Sequence, residues 1–479
     1  MNIGKKVKRL LLTLVLTLST VLTSAQTVLP AVRIDCESEL SNETEVMCTF
    51  VLETPDETTG NTKKESYMCM VNYRGATSSM YDKKSLEVEL VDEDGESLDV
   101  NVLGLREENS KWNLDALASD HSGLRNRVAM DMFTSYSKLP YTTDYDQRYS
   151  TVGRYVELWL NGQYRGLYCL SDRVDRNLTG VKKVKDGQMR GVLYKCTSHG
   201  PGGFLLSYDS LPTGNEFVWN AWKLQYPNSA SPEAWQPLIN IFNTPWADIP
   251  DEEYVATVGQ YFYWDNMVDV YLLTMVLGLG DFGFKNTYLA CSNYQKDQRM
   301  IIVPWDLDYT FGSTWNGILW STLTTLRGKA NFQFANPFKR LLSNPDLGFL
   351  AAVTDRWMQL KDNALSVEMV SQRIEDYAQL LDESGAWQRN REVWDGNPIA
   401  LDNTAKEAAD WMTDWYAANY KRVDELLQPY IATGIMGKRN EQLKMNHKDD
   451  VWYDLQGRRA NPSTTTKGIL INNHKKVVR

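Results

Sequence analysis

Two short segments of this 479-residue chain hold the side chains best suited to chemistry: Asp281-Phe-Gly-Phe-Lys-Asn286 and Val303-Pro-Trp-Asp306-Leu-Asp308-Tyr-Thr-Phe-Gly312. In the first, an Asp precedes an Asn by five positions. In the second, two carboxylates stand two apart after an apolar run. Transfer of a phosphoryl group to a hydroxyl needs such a set: one Asp to orient the attacking hydroxyl, and an Asn with one or two carboxylates to hold Mg2+ on the phosphates. The spacing matches that set with Asp281 in the first role, but taken alone it is a weak signal, and a helix-ending Asp in a Gly-rich turn is the simpler account. Asn286 offers a neutral carbonyl oxygen to a metal without adding charge. Asp306 follows the strand-like run Met300-Ile-Ile-Val-Pro, which suits a metal-binding carboxylate at a strand end, and Asp308 faces the same way if the strand continues. A solvated turn or a Ca2+ site is the competing explanation of the Asp pair. Gly278-Leu-Gly-Asp-Phe-Gly283 also satisfies G-x-G-x-x-G, but a helical pattern precedes it where a dinucleotide fold needs a strand.

An anionic cosubstrate also needs cations. The Arg74-Gly75-Ala-Thr-Ser78-Ser79 turn supplies backbone N–H groups and hydroxyls that can wrap phosphates. Lys84, or Lys83 beside it, would neutralise them, and Lys195 in Gly191-Val-Leu-Tyr-Lys195 is a second strand lysine for the same task. Taken locally, a polar hairpin with solvated lysines is the simpler account.

The elements that must position these groups are β-rich first and helical later. Residues 67–73 and 85–91 read as strands, and 155–160 and 163–170 flank Asn161-Gly162, a strong hairpin signal. A helix is expected near 124–136. From Trp235 onward apolar residues recur at helical spacing, predicting helices over 266–279, 338–342, 348–361, 367–381 and 405–427.

Taken in order, Arg74-Gly75-Ala-Thr-Ser78-Ser79, Lys83-Lys84, Leu124-Arg125-Asn126, Asn161-Gly162-Gln-Tyr-Arg-Gly166-Leu-Tyr168, the two segments above and Asn336-Pro-Phe-Lys339 resemble the CotH family, the spore-coat-protein-H-like kinases, from about residue 66 to 428. The resemblance implies an α+β, atypical protein-kinase-like two-lobe fold. It also implies an ATP- and Mg2+-dependent kinase, with Mn2+ or Ca2+ as alternative ions, acting on Ser or Thr of secreted or surface proteins. Asp281, Asn286 and Asp306 would be its catalytic residues. Arg74, Ser78, Ser79, Lys84 and Lys195 would face the nucleotide, and Asn286, Asp306 and Asp308 the metal. The family usually carries a Glu after Gly-x-Tyr, where this chain has Asp172; the shorter side chain would weaken a Lys–carboxylate clamp. A catalytically weak surface module that binds or scaffolds, or a structural surface protein with a metal site, are the alternatives.

Residues 1–25 read as a signal peptide: Lys5, Lys6, Lys8 and Arg9 precede a short apolar run, and Thr23-Ser-Ala25 allows cleavage before Gln26. The run is too short and too rich in Thr and Ser for a stable membrane span. The chain's net charge is −10, and the first 25 residues add four bases and no acids, so the remainder is more acidic still; no nucleic-acid footprint is expected. The reading is therefore of an exported protein, whether periplasmic, secreted or on the surface. Six cysteines allow disulfides, with Cys36 and Cys48 candidates for a cross-strand pair and buried free thiols the alternative. The four histidines are scattered in no metal-ligand pattern. Residues 26–65 read as an N-terminal β segment, 66–428 as the main domain, 429–450 as a polar linker, and 451–479 as a β-type tail resembling the C-terminal element of exported Bacteroidetes proteins.

Overall fold

The computed structural model describes residues 27–56, 59–75, 77–107, 109–144, 146–313, 331–394 and 404–431, with four short strands beyond. Residues 1–26, which include the expected signal peptide, and nearly all of the expected linker lie outside the described residues.

Seven strands close a barrel: β1 (Ala31–Cys36), β2 (Val46–Pro55), β3 (Thr62–Arg74), β4 (Ser85–Val91), β5 (Lys111–Asp115), β6 (Gly153–Leu160) and β7 (Gln163–Asp172), in the order β1-β2-β3-β4-β5-β7-β6. Each neighbouring pair is antiparallel except the closing one, β1 on β6, which is parallel. Alternation fills the interior: Val32 and Ile34 from β1, Phe50, Val71 and Val88 from the next three strands, and Trp112 from β5 are all buried. The N-terminal segment is thus the stave that seals the barrel, and closure removes both edges. This closed barrel departs from the open sheet of a protein-kinase N-terminal lobe.

The Asn161-Gly162 turn joins β6 to β7 with φ of 50° and 73°; positive φ at both positions matches the right-handed twist of the strands. Cys36 and Cys48 are register partners on β1 and β2 and form a disulfide. Cys69, Cys169, Cys196 and Cys291 are buried free thiols, each pushed up to about 12 by burial.

α1 (Arg125–Tyr136) lies between β5 and β6 in the chain. A second sheet follows in the order β12-β11-β8-β10-β9, from β8 (Val192–Cys196), β9 (Val218–Trp219), β10 (Trp222–Tyr226), β11 (Thr287–Cys291) and β12 (Ile301–Pro304). The remaining helices are α2 (Pro232–Asn243), α3 (Asp251–Tyr261), α4 (Trp264–Leu277), α5 (Phe338–Ser343), α6 (Phe349–Leu360), α7 (Val367–Glu383), α8 (Ala386–Trp394) and α9 (Ala405–Leu427). The architecture is α+β, β-rich first and helical later. α4 is buried on every side from Asn266 to Leu277, as an all-round apolar helix must be. It ends at Gly278, in the left-handed conformation, and Asn419 of α9 donates to the carbonyls of Met275 and Val276. Among the described residues no helix is long and apolar enough to cross a membrane. The tail strands β13 (Trp452–Asp454), β14 (Arg459–Ala460), β15 (Ile469–Asn472) and β16 (Lys475–Val478) form their own sheet, ordered β14-β13-β15-β16.

Candidate active site

α4 and β11 are joined by the loop 278–286, and β12 runs directly into 305–313. These two loops carry the carboxylates. Four of their non-glycine residues, Phe284, Asn286, Asp306 and Phe311, have φ of 71°, 61°, 58° and 49°. Left-handed backbone persists at such residues only where surrounding structure enforces it. Here the enforcement is visible. Asn286 donates from Nδ2 to the Asp281 carbonyl at 2.8 Å and to Asp281 Oδ2 at 3.1 Å, and its own carbonyl accepts from Trp305 N at 2.9 Å. The 305–313 loop is pinned from α1: Asn126 Oδ1 accepts from Leu307 N at 3.1 Å, and Arg125 Nε donates to the Thr310 carbonyl at 3.1 Å. Arg125 is itself buried and paired with Asp120.

Asp281 is the most heavily partnered carboxylate of the site. Oδ1 accepts from His199 Nε2 at 3.0 Å and Oδ2 from Lys285 Nζ at 3.2 Å. Burial pushes its pKa up, but the His199 hydrogen bond and the Lys285 charge outweigh that and hold it below the usual carboxylate range.

Asp306 is accessible to solvent and has Asp115, Lys195, Arg74 and Asp281 as its charged neighbours. The protein packed around this open side chain strips part of its hydration and raises its pKa, and the nearby Asp115 adds to this, against the attraction of Lys195 and Arg74. Asp308 is buried, accepts from Ser119 Oγ at 2.6 Å, and is held well above the usual range by burial, then Asp306 and Asp115. The strand ends at Pro304, before either carboxylate, so strand alternation does not put them on one face: Asp306 is exposed and Asp308 is buried. Paired carboxylates that repel each other and stay protonated too readily are a donor set for a hard cation. Among the described residues no group of three or more His, Cys, Asp or Glu is arranged to hold a metal by itself. A Mg2+ held by one or two carboxylates together with phosphate oxygens fits that set.

The cations converge on the same place. Arg74, at the end of β3, lies over the Trp305 ring at 5.4 Å; Lys195, on β8, lies over it at 5.4 Å and over Tyr288 at 5.6 Å. Among the described residues neither forms an ion pair within 4 Å. Ser78 and Ser79 sit on a 3-10 turn, Thr77–Met80, between β3 and β4, and Lys84 folds back onto it, donating from Nζ to the Ser79 carbonyl at 2.6 Å.

A profile of the family described as CotH kinase protein matches residues 71–423. The chain belongs to the CotH kinase family. Comparison with curated proteins gives no significant match.

Several of the motifs that carry the CotH resemblance prove to be architectural. In Asn161-Gly162-Gln-Tyr-Arg-Gly166-Leu-Tyr168 the first two residues make the hairpin turn. Gly166 has φ 93°, and a Cβ there would lie 2.3 Å from Asn390 Oδ1 and 3.2 Å from the Trp394 ring, so it clears the way for α8 to dock on the barrel. Tyr168 donates to the Lys84 carbonyl at 3.0 Å. Lys83 is not part of the site. It is fully buried beneath that same ring and donates to the Leu167 carbonyl and to Asn390 Oδ1 at 2.9 Å. Asp172 does not clamp a lysine either: its charged neighbours are Arg106 and Arg148, each at 3.8 Å, and its Oδ1 accepts from Val152 N at 2.8 Å. Asp115, Ser119, His199, Lys285 and Trp305 also belong to the site. Lys285 and Trp305 lie inside the quoted motifs; Asp115, Ser119 and His199 had no sequence signal, being isolated in the chain from the residues they meet.

Proposed function

We propose that this chain is an exported kinase that moves the γ-phosphoryl group of ATP to Ser or Thr hydroxyls of secreted or surface proteins. The observation that carries the reading is the meeting of Asp281, Asn286 and Asp306 with two cations, Arg74 and Lys195, within a CotH family chain. Asp281 would accept a hydrogen bond from the acceptor hydroxyl and orient it, taking its proton as the new phosphorus–oxygen bond forms and the bond to ADP breaks. Arg74 and Lys195 would neutralise phosphate oxygens, with Lys84, Ser78 and Ser79 contributing from the adjoining turn. Asn286, Asp306 and Asp308 would hold Mg2+, which supplies charge neutralisation on the phosphates. Export is supported by the leader-like residues 1–25 and by the Cys36–Cys48 disulfide, a bond that persists in oxidising compartments.

The test separates binding from transfer. In purified protein, Asp306→Ala should abolish Mg2+-dependent ATP binding in calorimetry. Asp281→Asn should bind ATP and Mg2+ almost as the parent does, while transfer of labelled phosphate falls about 10^2–10^4-fold. Equal loss of affinity in both variants would make Asp281 a metal ligand. A parent that binds ATP but labels no acceptor, itself included, would favour a binding module of the same family.

A further inference from the structure

His199 lies just past the end of β8, 82 residues before Asp281 in the chain, and meets it through Nε2 at 3.0 Å. Its other ring nitrogen, Nδ1, lies 3.4 Å from Asn331 Nδ2, and the ring packs against Phe204 with centroids 6.0 Å apart. Two constraints fix the proton. An amide NH2 only donates, so Nδ1 must accept; a carboxylate only accepts, so Nε2 must donate. The Asp281 contact places a proton on Nε2, and the Asn331 amide leaves Nδ1 without one; together they select the Nε2–H tautomer. Asn331 is in turn locked to the Asp281 loop: its N–H donates to the Phe282 carbonyl at 2.7 Å, and a Cβ on Gly283 would come within 2.7 Å of Asn331 N. Asn331, His199 and Asp281 thus form a closed chain of contacts running back to the loop that starts it.

The partners of Asp281 are not equivalent. Asn286 belongs to the same loop and also holds its carbonyl. Lys285 reaches Oδ1 at 3.4 Å and Oδ2 at 3.2 Å on a flexible, part-exposed stem. A carboxylate offers about four acceptor positions, and these contacts fill them. An incoming hydroxyl must therefore displace one partner, and Lys285 is the one whose release costs least order.

We propose that His199 is a positioning residue for phosphoryl transfer: clamped between Asn331 and Asp281, it keeps the Asp281 carboxylate aimed while the acceptor hydroxyl takes the place of Lys285. The inference rests on the kinase reading above. It requires only a fixed N–H at the Nε2 position, not a second base.

Three variants test it in the full chain. His199→Ala should lower the rate of phosphate transfer about 10–100-fold, the worth of a hydrogen bond to a charged group, with Mg2+-ATP affinity unchanged. His199→Gln, whose amide nitrogen can occupy the Nε2 position, should recover most of the rate. Lys285→Met should lower the rate less than His199→Ala does; a loss as large as that of His199→Ala overturns the exchange of Lys285 for the hydroxyl. A His199→Ala protein as fast as the parent overturns the proposal, as does a His199→Gln protein as slow as His199→Ala. A readout independent of activity is the tautomer, from 1H–15N spectra of the imidazoles. Nε2–H is expected at His199, and its resonances should move in Asp281→Asn; an Nδ1–H form, or no shift, also overturns it. If the parent labels no acceptor, the kinase reading falls and the role in transfer with it, while these spectra still decide whether the clamp exists.

Discussion

At the scale of single residues, adjacent lysines have opposite fates. Lys84 stays near the surface, folded onto the Thr77–Met80 turn. Lys83 turns inward, where burial drives its pKa down to about 7, against the pull of Asp115 and with the push of Arg165. An unfolded lysine titrates near 10.5. Between the two values the unfolded chain holds one more proton than the folded one, so stability should rise with pH from about 7 upward. Lys83→Met should remove that rise. Urea unfolding at pH 7 and pH 8.5 should show the parent gaining roughly 1–2 kcal/mol more than the variant; equal gains would mean that Lys83 does not titrate in this window.

At the scale of elements, the candidate metal loop is held by the start of α1. Asn126 and Arg125 have no chemistry of their own in the site, yet each fixes a backbone group of residues 307–310. Removing the Asn126 carboxamide frees Leu307 N–H and loosens the left-handed turn at Asp306. Asn126→Ala should therefore weaken Mg2+-dependent ATP binding about tenfold, the equivalent of one hydrogen bond of about 1.4 kcal/mol. Its far-UV circular dichroism should match that of the parent. Unchanged affinity would show that the loop keeps its shape without this tie. α8 plays a comparable part for the barrel. Asn390 accepts from Leu167 N at 2.9 Å, Trp394 Nε1 donates to the Arg165 carbonyl at 2.7 Å, and Arg389 pairs with Glu157 at 2.8 Å.

At the scale of the molecule, the barrel has its own core of buried side chains and the second sheet shares a larger one with the helices. α9 contributes Met412, Trp415, Tyr416, Val423 and Leu427 to the larger core, and the 3-10 turn Gln428–Tyr430 follows it. Residues 26–430 should consequently fold without the tail, giving soluble protein whose melting temperature is within a few degrees of the full chain's. Insoluble protein, or melting far lower, would show that the tail completes the fold. The strand β1 predicts the converse: removing residues 26–40 takes out the stave that pairs with both β2 and β6 and one end of the Cys36–Cys48 bond. That truncation should lose cooperative thermal unfolding of the barrel, which calorimetry would detect.

What the sequence determined by itself was local or periodic. Asn-Gly between alternating apolar residues needs no tertiary help to turn, and helical spacing alone marked α1, α4, α6, α7 and α9 to within a few residues. The Asp281-to-Asn286 spacing is a weak signal by itself; the order of the segments around it marked Asp281, Asn286 and Asp306 as candidates and gave the family. Tertiary structure alone decided the rest. A parallel pairing of β1 with β6 links strands more than a hundred residues apart and leaves no spacing to read, so the barrel's closure was invisible. Which of two neighbouring lysines turns inward depends on where α8 docks. Asp172 looked like a lysine clamp in one dimension, but burial beside Arg106 and Arg148 assigns its charge to them. His199 reaches Asp281 only because the segment after β8 and the loop after α4 are brought together when the chain folds, and contacts of that range are set by packing.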